Sequence, residues 1–352
     1  RDLPTSTMKA ALALVAALVA GASTAQETTD SAHLSMLTLL ARVTSDPEGL
    51  AEELASSPMA AIVPELEFPS WHKKGDGAEL PTVLAHGMGD SCFNRGMSNI
   101  AKEVGAHLDS YAVCVPTGDS RIMDTINGFL LDMDSSVDVF AEKIKADENL
   151  KGGFNAIGFS QGNSLIRGYI QKYNDPPVNT FLSVHGTVSG TSGFPNCDPA
   201  GHSICSAMAE FCGAAAYNSF VQGHLFQADY FRDPEKVDGD AYKTYSQLAK
   251  WNNEAADSPD ATINANFGLV QKWAMIKAEG DSMIFPNEGE WWGKFDGAFD
   301  KVIPMKETDW YINDNFGLKT ADEAGKIFFN STEGDHLQFT TAQLFGWIDQ
   351  YF

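Results

Sequence analysis

Short apolar segments recur along the chain from about residue 66 onwards, and glycine or a polar residue follows most of them. Six of these segments predict β-strands: PTVLAHG, YAVCVPTG, FNAIGFS, TFLSVHG, KWAMIKAEGD and KIFFN. The stretches between them have helical periodicity, as in GMSNIAKEVGAHL, SSVDVFAEKIKADENL and NSLIRGYIQKY. Buried strands that alternate with helices predict a mostly parallel central sheet with helices on both faces. The fold class is therefore α/β.

The alternation stops between about residues 194 and 272. This stretch is rich in alanine, glutamine, asparagine and aromatic residues, and its pattern is helical. We expect a largely helical insertion over the carboxyl edge of the sheet, where open α/β sheets build their functional sites. The sheet, its helices and the insertion form one predicted domain over residues 66–352.

The N-terminal segment has a different pattern. A single lysine precedes the apolar run AALALVAALVAGA, and small and polar residues follow it. This is typical of a secretory signal peptide, and Ser23 and Ala25 supply the small residues for cleavage after Ala25. Residues 1–25 are predicted to be a signal peptide with upstream residues, and residues 26–65 a partly helical leader. We therefore expect a protein of the secretory pathway that is lysosomal, vacuolar or secreted.

The charge of the chain argues against a nucleic-acid partner, and its hydropathy argues against a transmembrane helix. The chain has 352 residues, and 47 acidic against 24 basic side chains give a formal net charge of −23. Such a surface repels phosphate backbones, so nucleic acid is not an expected partner. No segment after the signal peptide has the about 18 to 20 uninterrupted apolar residues that a transmembrane helix needs.

Five cysteines are an odd number for an oxidising compartment, so at least one thiol is free or paired elsewhere. Cys197 and Cys205 bracket a loop that contains proline and glycine, NCDPAGHSIC, and are the best candidates for a local disulfide. The chain has no Cys-x-x-Cys sequence, and its histidines do not cluster with cysteine or acids at the spacing of zinc ligands. We expect no structural metal.

The strongest chemical signal is GFSQG at Gly158–Gly162, which matches G-x-S-x-G. The sequence alone allows a nucleophilic serine on a sharp turn or a glycine-rich turn that happens to contain a serine. The strand FNAIGF before it and the helix start NSLIRGYI after it favour the nucleophile, because strand–turn–helix is the context that this motif requires. Ser160 then needs a base to accept its proton and an acid to orient that base.

The histidine and the acid should follow the serine in the chain. His336 lies in a loop that contains glycine, between the last predicted strand and the final helix, while His86 and His185 end strands but precede the acid. Asp281 follows the strand KWAMIKA in a turn and is the predicted acid. Other acidic residues of the two loops are Glu279, Glu288, Glu290 and Asp335.

An oxyanion hole needs two main-chain N–H groups that point at the developing negative charge. One should come from Gln161, the residue after the nucleophile. The other should come from the loop HGMGDSC after an early strand, where Met88 is the predicted donor.

Several longer stretches point to one family. They are HGMGDSC, FNAIGFSQGN, FQADYFRDP, EWWGKFD, IPMKETDWYINDNFGLK and STEGDHLQF, and they extend from about residue 81 to the C-terminus. Together they resemble the palmitoyl-protein thioesterase family, lysosomal α/β-hydrolases that cleave long acyl chains from cysteine thioesters. The resemblance implies an α/β-hydrolase fold, a Ser160–Asp281–His336 triad, Met88 and Gln161 in the oxyanion hole, no metal or organic cofactor, and a disulfide within NCDPAGHSIC.

The chain departs from the family pattern at a few positions. Asn163 stands where the family usually has glycine, which predicts a slightly wider spacing between helix and strand. Cys92-Phe93 replaces a common Cys-Cys pair, and Phe140 and Tyr173 stand where two cysteines are expected. The leader has no family counterpart.

The insertion offers apolar side chains for a long acyl chain. The groove candidates are Phe194, Phe220, Leu225, Phe226 and Tyr230. The alternative is that these side chains only pack the insertion onto the sheet. Asn330 begins a glycosylation sequon, NST.

These observations favour a serine hydrolase that removes palmitoyl-like chains from S-acylated proteins or peptides. One alternative is a secreted lipase or carboxylesterase that uses the same triad on oxyesters. Another is a non-catalytic lipid-binding protein, against which the intact order of serine, acid and histidine argues. The sequence leaves the oligomeric state open.

Overall fold

The computed structural model describes residues 70–71, 79–194, 212–213 and 215–352. The predicted signal peptide, the leader and the Cys197–Cys205 pair lie outside the described residues. None of the helices in the described part of the chain is long and apolar enough to span a membrane.

Seven strands form the central sheet, in the order β1-β3-β2-β4-β5-β6-β9. Every neighbouring pair is parallel except β1 with β3. Strands β7 and β8 pair separately as a short antiparallel hairpin. In chain order the strands are β1 (Ser70–Trp71), β2 (Thr82–Ala85), β3 (Ala112–Cys114), β4 (Phe154–Phe159), β5 (Val178–Val184), β6 (Lys272–Ala278), β7 (Lys294–Phe295), β8 (Val302–Ile303) and β9 (Ile327–Thr332).

Helices connect the strands and cover the sheet. The α-helices are α1 (Arg95–Leu108), α2 (Arg121–Leu130), α3 (Met133–Ala146), α4 (Gly162–Lys172), α5 (Ser219–Gln222), α6 (Phe226–Asp229), α7 (Asp240–Tyr245), α8 (Gln247–Trp251), α9 (Ala261–Leu269), α10 (Asp309–Ile312), α11 (Leu318–Glu323) and α12 (Thr341–Tyr351). Short 3-10 helices occupy Glu148–Leu150, Asn287–Trp291 and Met305–Glu307.

The apolar runs of the strands are buried on both faces, as expected for a parallel sheet between helices. On one face, side chains of β2, β4, β5 and β6 form a core with Val104 of α1 and Trp347 of α12. On the other face, Phe267 of α9 stacks on Trp273 of β6 with ring centroids 4.0 Å apart. Tyr169 of α4 contacts Phe154 of β4 on that same face.

All six predicted strands are present as β2 to β6 and β9, and the three quoted helical stretches are present as α1, α3 and α4. Where the insertion is described, it contains the five helices α5 to α9, in agreement with its helical pattern. The pattern missed β1, which has only two residues, and α2. Helix α2 directs the polar side chains of Asp124 and Asn127 into the protein, where they accept and donate hydrogen bonds.

Candidate active site

The turn between β4 and α4 is sharp, and its two glycines are required for steric reasons. Ser160 has φ of 52°, in the left-handed region that few residues other than glycine adopt. A Cβ atom on Gly158 would lie 2.4 Å from Oδ1 of Asn163, and one on Gly162 would lie 2.4 Å from the main-chain oxygen of Ala85. The backbone strain at Ser160 is typical of residues held in place for function.

Asn163 occupies the space between this turn and β5. Its amide group donates hydrogen bonds to the main-chain oxygens of Ser160, at 2.9 Å, and of Val184, at 3.1 Å. The side chain fits because Gly158 and Gly186 have no Cβ; a Cβ atom on Gly186 would lie 2.7 Å from Cγ of Asn163. The wider spacing expected from this asparagine is therefore not required, and the side chain ties the turn to β5 instead.

The structure brings Ser160, His336 and Asp281 together in one hydrogen-bonded chain. Oγ of Ser160 lies 2.8 Å from Nε2 of His336, and Nδ1 of His336 lies 2.5 Å from Oδ2 of Asp281. A carboxylate only accepts hydrogen bonds, so Nδ1 carries the proton and Nε2 is free to accept one from the serine hydroxyl. The imidazole is 12% exposed and the Asp281 side chain is fully buried.

Asp281 is held as a carboxylate in this buried position. Its Oδ1 accepts hydrogen bonds from the main-chain N–H groups of Met283 and Ile284, both at 2.7 Å. Burial alone would raise the pKa of Asp281, but the hydrogen bond and charge of His336 and these two N–H groups outweigh it. The pKa of Asp281 is therefore below its ordinary value, and the carboxylate can orient the imidazole and stabilise its protonated form.

The alternative acids have other roles. Asp335 accepts hydrogen bonds from the main chain of His336 and from the main chain and hydroxyl of Ser282, so it joins the two loops and does not contact the imidazole ring. Glu279 and Glu288 form ion pairs with Lys277. These contacts leave Asp281 as the partner of the ring.

The other described histidines have partners away from Ser160. Nε2 of His86 lies 3.2 Å from the buried carboxylate of Asp124. Burial lowers the pKa of His86, but the charge and hydrogen bond of Asp124 outweigh this and raise the pKa above its ordinary value. His107 pairs with Asp349, and His224 contacts the main-chain oxygen of Phe220.

The loop over residues 86–94 passes directly beside the serine. A Cβ atom on Gly87 would lie 3.1 Å from Cβ of Ser160. This places Met88, the predicted second oxyanion donor, on the loop that lines the serine. Within the described residues, the main-chain N–H groups of Met88 and Gln161 form no hydrogen bond with another protein atom. Both are therefore available to a ligand oxygen.

Asp124 of α2 fixes this loop, although no sequence pattern identifies it. Its carboxylate accepts hydrogen bonds from the hydroxyl of Ser91 and the main-chain N–H of Cys92, both at 2.8 Å, and from the main-chain N–H of Thr117 at 2.7 Å. Burial would raise the pKa of Asp124, but His86 and these donors lower it below its ordinary value. The fully buried carboxylate thus stays charged.

A disulfide joins the same loop to the sheet. Cys92 is bonded to Cys114 at the end of β3, a pairing that the sequence did not indicate. In the family pattern a second cysteine stands at the position of Phe93. The disulfide here uses the first cysteine of that pair, Cys92.

The side chain of Gln161 is held by the insertion. Its Oε1 accepts hydrogen bonds from Nε2 of Gln227, at 2.7 Å, and from the hydroxyl of Tyr230, at 3.1 Å. Its Nε2 donates to the main-chain oxygen of Gly128 at 2.7 Å. The hydroxyl of Tyr230, a predicted groove residue, thus contacts Gln161, and the sequence did not predict the contact of Gln227.

The remaining groove candidates are mostly packed within the protein. Phe194, Leu225 and Phe226 are buried, and Phe194 stacks on Phe231 with ring centroids 6.1 Å apart. Phe220 is 38% exposed. These contacts agree with the packing alternative for the three buried side chains, so the acyl groove stays a prediction.

A cavity of about 530 Å³ has a largely polar lining, which includes Arg232, Lys243, Lys294 and several acids. None of the five groove candidates lines this cavity. Its charged wall does not suit an alkyl chain.

Two groups of side chains have metal-ligand atoms close together in the described residues. One comprises His86, Cys92 and Asp124, and its sulfur is bonded in the disulfide. The other comprises His185, Asp281 and His336, whose ring nitrogens and carboxylate already have protein partners. Neither donor set matches an open metal site.

The family model described as palmitoyl protein thioesterase matches residues 81–336, which is more than two-thirds of the chain. The chain belongs to the palmitoyl protein thioesterase family. As a member, it has the α/β-hydrolase fold and is a thioester hydrolase. The match includes Ser160, Asp281 and His336 and covers the residues between them.

Three relatives illustrate how far the thioesterase similarity extends. Palmitoyl-protein thioesterase 1 of Caenorhabditis elegans is 36% identical over 271 residues, 76% of this chain and 89% of the relative. Palmitoyl-protein thioesterase 3 of Dictyostelium discoideum is 29% identical over 261 residues, 74% of this chain and 86% of the relative. Lysosomal thioesterase PPT2 of Mus musculus is 26% identical over 264 residues, 74% of this chain and 81% of the relative.

Proposed function

We propose that the protein removes long, palmitoyl-like acyl chains from cysteine thioesters in proteins or peptides, with Ser160 as the nucleophile. The observation that carries this proposal is the hydrogen-bonded chain from Ser160 through His336 to Asp281. The names of the relatives in C. elegans and D. discoideum support palmitoylated protein as the substrate class.

Acylation begins when Nε2 of His336 accepts the hydroxyl proton of Ser160 and Oγ attacks the thioester carbonyl carbon. The 2.8 Å contact supports this transfer, since a general base must lie within hydrogen-bonding reach of its proton. The tetrahedral intermediate then collapses, the C–S bond breaks, and the proton on His336 passes to the departing thiolate. The products are the free cysteine thiol and an acyl ester of Ser160.

Deacylation repeats these steps with water. His336 accepts a proton from the water molecule, the resulting hydroxide attacks the acyl-serine carbonyl, and the proton returns to Oγ of Ser160 as the fatty acid leaves. The charge of Asp281 stabilises the imidazolium in both halves of the reaction.

The main-chain N–H groups of Met88 and Gln161 are proposed to stabilise the oxyanion of both tetrahedral intermediates. Gln161 follows Ser160 directly in the chain, Met88 follows Gly87, which packs against Ser160, and within the described residues neither N–H group has a hydrogen-bond partner in the protein. Loss of one such donor in a serine hydrolase typically costs about 100- to 1,000-fold in kcat.

We propose the lysosome or another compartment of the secretory pathway as the location. The signal-peptide pattern of residues 1–25 and the Cys92–Cys114 disulfide support an oxidising compartment. The mouse relative is named a lysosomal thioesterase, which favours the lysosome.

The test compares the purified protein with Ser160→Ala on matched thioesters and oxyesters of the same acyl chains, over a range of chain lengths. We expect turnover of the long-chain thioesters and its loss by about 10⁴-fold or more in Ser160→Ala. Ser219→Ala is the control, because this exposed serine of α5 should leave turnover unchanged. Preferred turnover of the oxyesters would support a lipase or carboxylesterase, and binding of the acyl chain without turnover would support a lipid-binding protein.

A further inference from the structure

His185 is a buried histidine beside His336, with the two ring centroids 6.1 Å apart. It follows β5 and has φ of 48°, in the left-handed region. Its Nδ1 accepts a hydrogen bond of 2.7 Å from the main-chain N–H of Leu337. Its Nε2 lies 3.0 Å from Oγ1 of Thr332.

These contacts define the protonation of His185. Because Leu337 donates to Nδ1, the ring proton lies on Nε2 and is donated to Thr332. Burial, and then the charge of His336, lower the pKa of His185 to about 4. The ring is therefore neutral above that pH, and its two nitrogens are already engaged, so it does not replace His336 as a base.

The two partners of His185 enclose the segment that carries His336. Thr332 is the last residue of β9, and Leu337 follows His336 directly and has φ of 56°. A left-handed conformation at leucine is unfavourable and persists only where surrounding contacts impose it. The hydrogen bond from Leu337 to His185 is such a contact, and it fixes the backbone immediately after the imidazole.

His185 also belongs to the side of the site that holds Ser160. Its own N–H donates to the main-chain oxygen of Ile276, and the residue before it, Val184, accepts the N–H of Ser160 at 3.1 Å. By contrast, Asp335 and Ser282 tie His336 to the loop of Asp281. The hydrogen bonds of His185 therefore connect the loop that carries His336 to the end of β5, beside Ser160.

We propose that His185 is a positioning residue, a neutral hydrogen-bond acceptor that holds the His336 loop at the distance from Ser160 that proton transfer requires. It acts through Leu337 and Thr332 and contacts no reacting atom. This role rests on the proposed function, because it concerns the transfer from Ser160 to His336.

The test uses two substitutions of nearly equal shape. His185→Asn keeps an acceptor close to the position of Nδ1, and asparagine tolerates a left-handed backbone. His185→Leu has the same branched outline without an acceptor. We expect His185→Leu to lower kcat by roughly 10- to 100-fold with KM changed by less than about 3-fold. His185→Asn should retain kcat within about 3-fold of the wild type.

Two further measurements separate positioning from folding and from substrate choice. The second-order rate at which a fluorophosphonate probe labels Ser160 reports on the nucleophile whatever the natural substrate is. The labelling rate should fall by a similar factor in His185→Leu and recover in His185→Asn. The melting temperature, and the fraction of the protein that the probe can label in total, show whether a variant is unfolded.

Equal kcat and labelling rates in His185→Leu and wild type would overturn the proposal, as would equal losses in both variants. Absence of thioester turnover in the wild type, with labelling still dependent on the acceptor, would overturn the proposed function and leave the role of His185 standing.

Discussion

Glu290 places a second carboxyl group next to Asp281, in a position that is fully buried. Its Oε2 accepts a hydrogen bond of 3.0 Å from the main-chain N–H of Ala278. Burial, and then the charge of Asp281, raise the pKa of Glu290 well above its ordinary value. The folded protein therefore keeps Glu290 neutral while Asp281 stays charged, which is how two neighbouring carboxyl groups avoid repulsion.

This difference predicts a pH-dependent effect of Glu290→Gln on stability. The unfolded chain releases the Glu290 proton near its ordinary pKa, whereas the folded protein keeps it. The contribution of Glu290 to the free energy of unfolding therefore falls as pH rises above about 4.5. Glutamine is neutral in both the folded and the unfolded chain, so Glu290→Gln lacks this pH-dependent contribution to stability. We expect the variant to gain in the free energy of unfolding, relative to wild type, between pH 4.5 and pH 7.5.

Chemical denaturation at the two pH values measures the gain. Thioester turnover by Glu290→Gln should stay close to that of the wild type, since the amide preserves a neutral group beside Asp281. An equal difference in stability at both pH values would show that Glu290 is ionised in the folded protein.

At the scale of elements, the loop over residues 86–94 is held at two points by groups that are distant in sequence. The Cys92–Cys114 disulfide joins it to β3, and the carboxylate of Asp124 joins it to α2. Its position beside Ser160 therefore does not depend on the loop sequence alone. Such double fixation suits a loop whose main chain must present a donor at a defined point.

Removing the disulfide tests how much of this fixation it supplies. For the double variant Cys92→Ala and Cys114→Ala, a closed loop of 22 residues predicts a loss of about 3 kcal/mol in the free energy of unfolding. We also expect a lower kcat, because Met88 is then held less firmly, with KM little changed. Reductant should lower the stability of the wild type toward that of the variant and leave the variant unaffected. If the double variant had the kcat of the wild type, Asp124 alone would be sufficient to hold the loop over residues 86–94.

The insertion reaches the same site through side chains of α6 and the residue after it. Oε1 of Gln161 accepts hydrogen bonds from Gln227 and Tyr230. Tyr230→Phe removes the second of these and leaves the first. We expect a loss of about 1 kcal/mol in stability, and a several-fold fall in kcat with KM unchanged. Steady-state kinetics on one long-chain thioester measures this, with Tyr245→Phe as the matched control because Tyr245 is 43% exposed. A change confined to KM would show that Tyr230 acts on substrate binding instead.

At the scale of the whole molecule, the sheet and the Ser160–His336–Asp281 arrangement are predictable because local patterns specify them. Each strand is a short apolar run, and the three side chains follow strands whose carboxyl ends meet at one edge. G-x-S-x-G and the order of serine, acid and histidine then distinguish these residues from other strand ends. The roles of the three remain proposals that the Ser160→Ala test addresses.

Contacts between distant residues could not be predicted in this way. Gln161 and Gln227 are 66 residues apart, and His185 and Leu337 are 152 apart. Glutamine and histidine have many ordinary surface roles, so neither residue type marks such a contact in the sequence. Chain order argues against His185 as the base, but only the folded sheet places its ring beside His336.

The hydrogen bonds between Gln161 and the insertion have a consequence for protein engineering. An insertion taken from a relative keeps these contacts only where it also supplies glutamine and tyrosine at the positions of Gln227 and Tyr230, two partners of the side chain next to the nucleophile. We expect an insertion with other residues there to alter turnover number together with any change in preferred substrate. Such a chimera would have to be optimised for both properties at once.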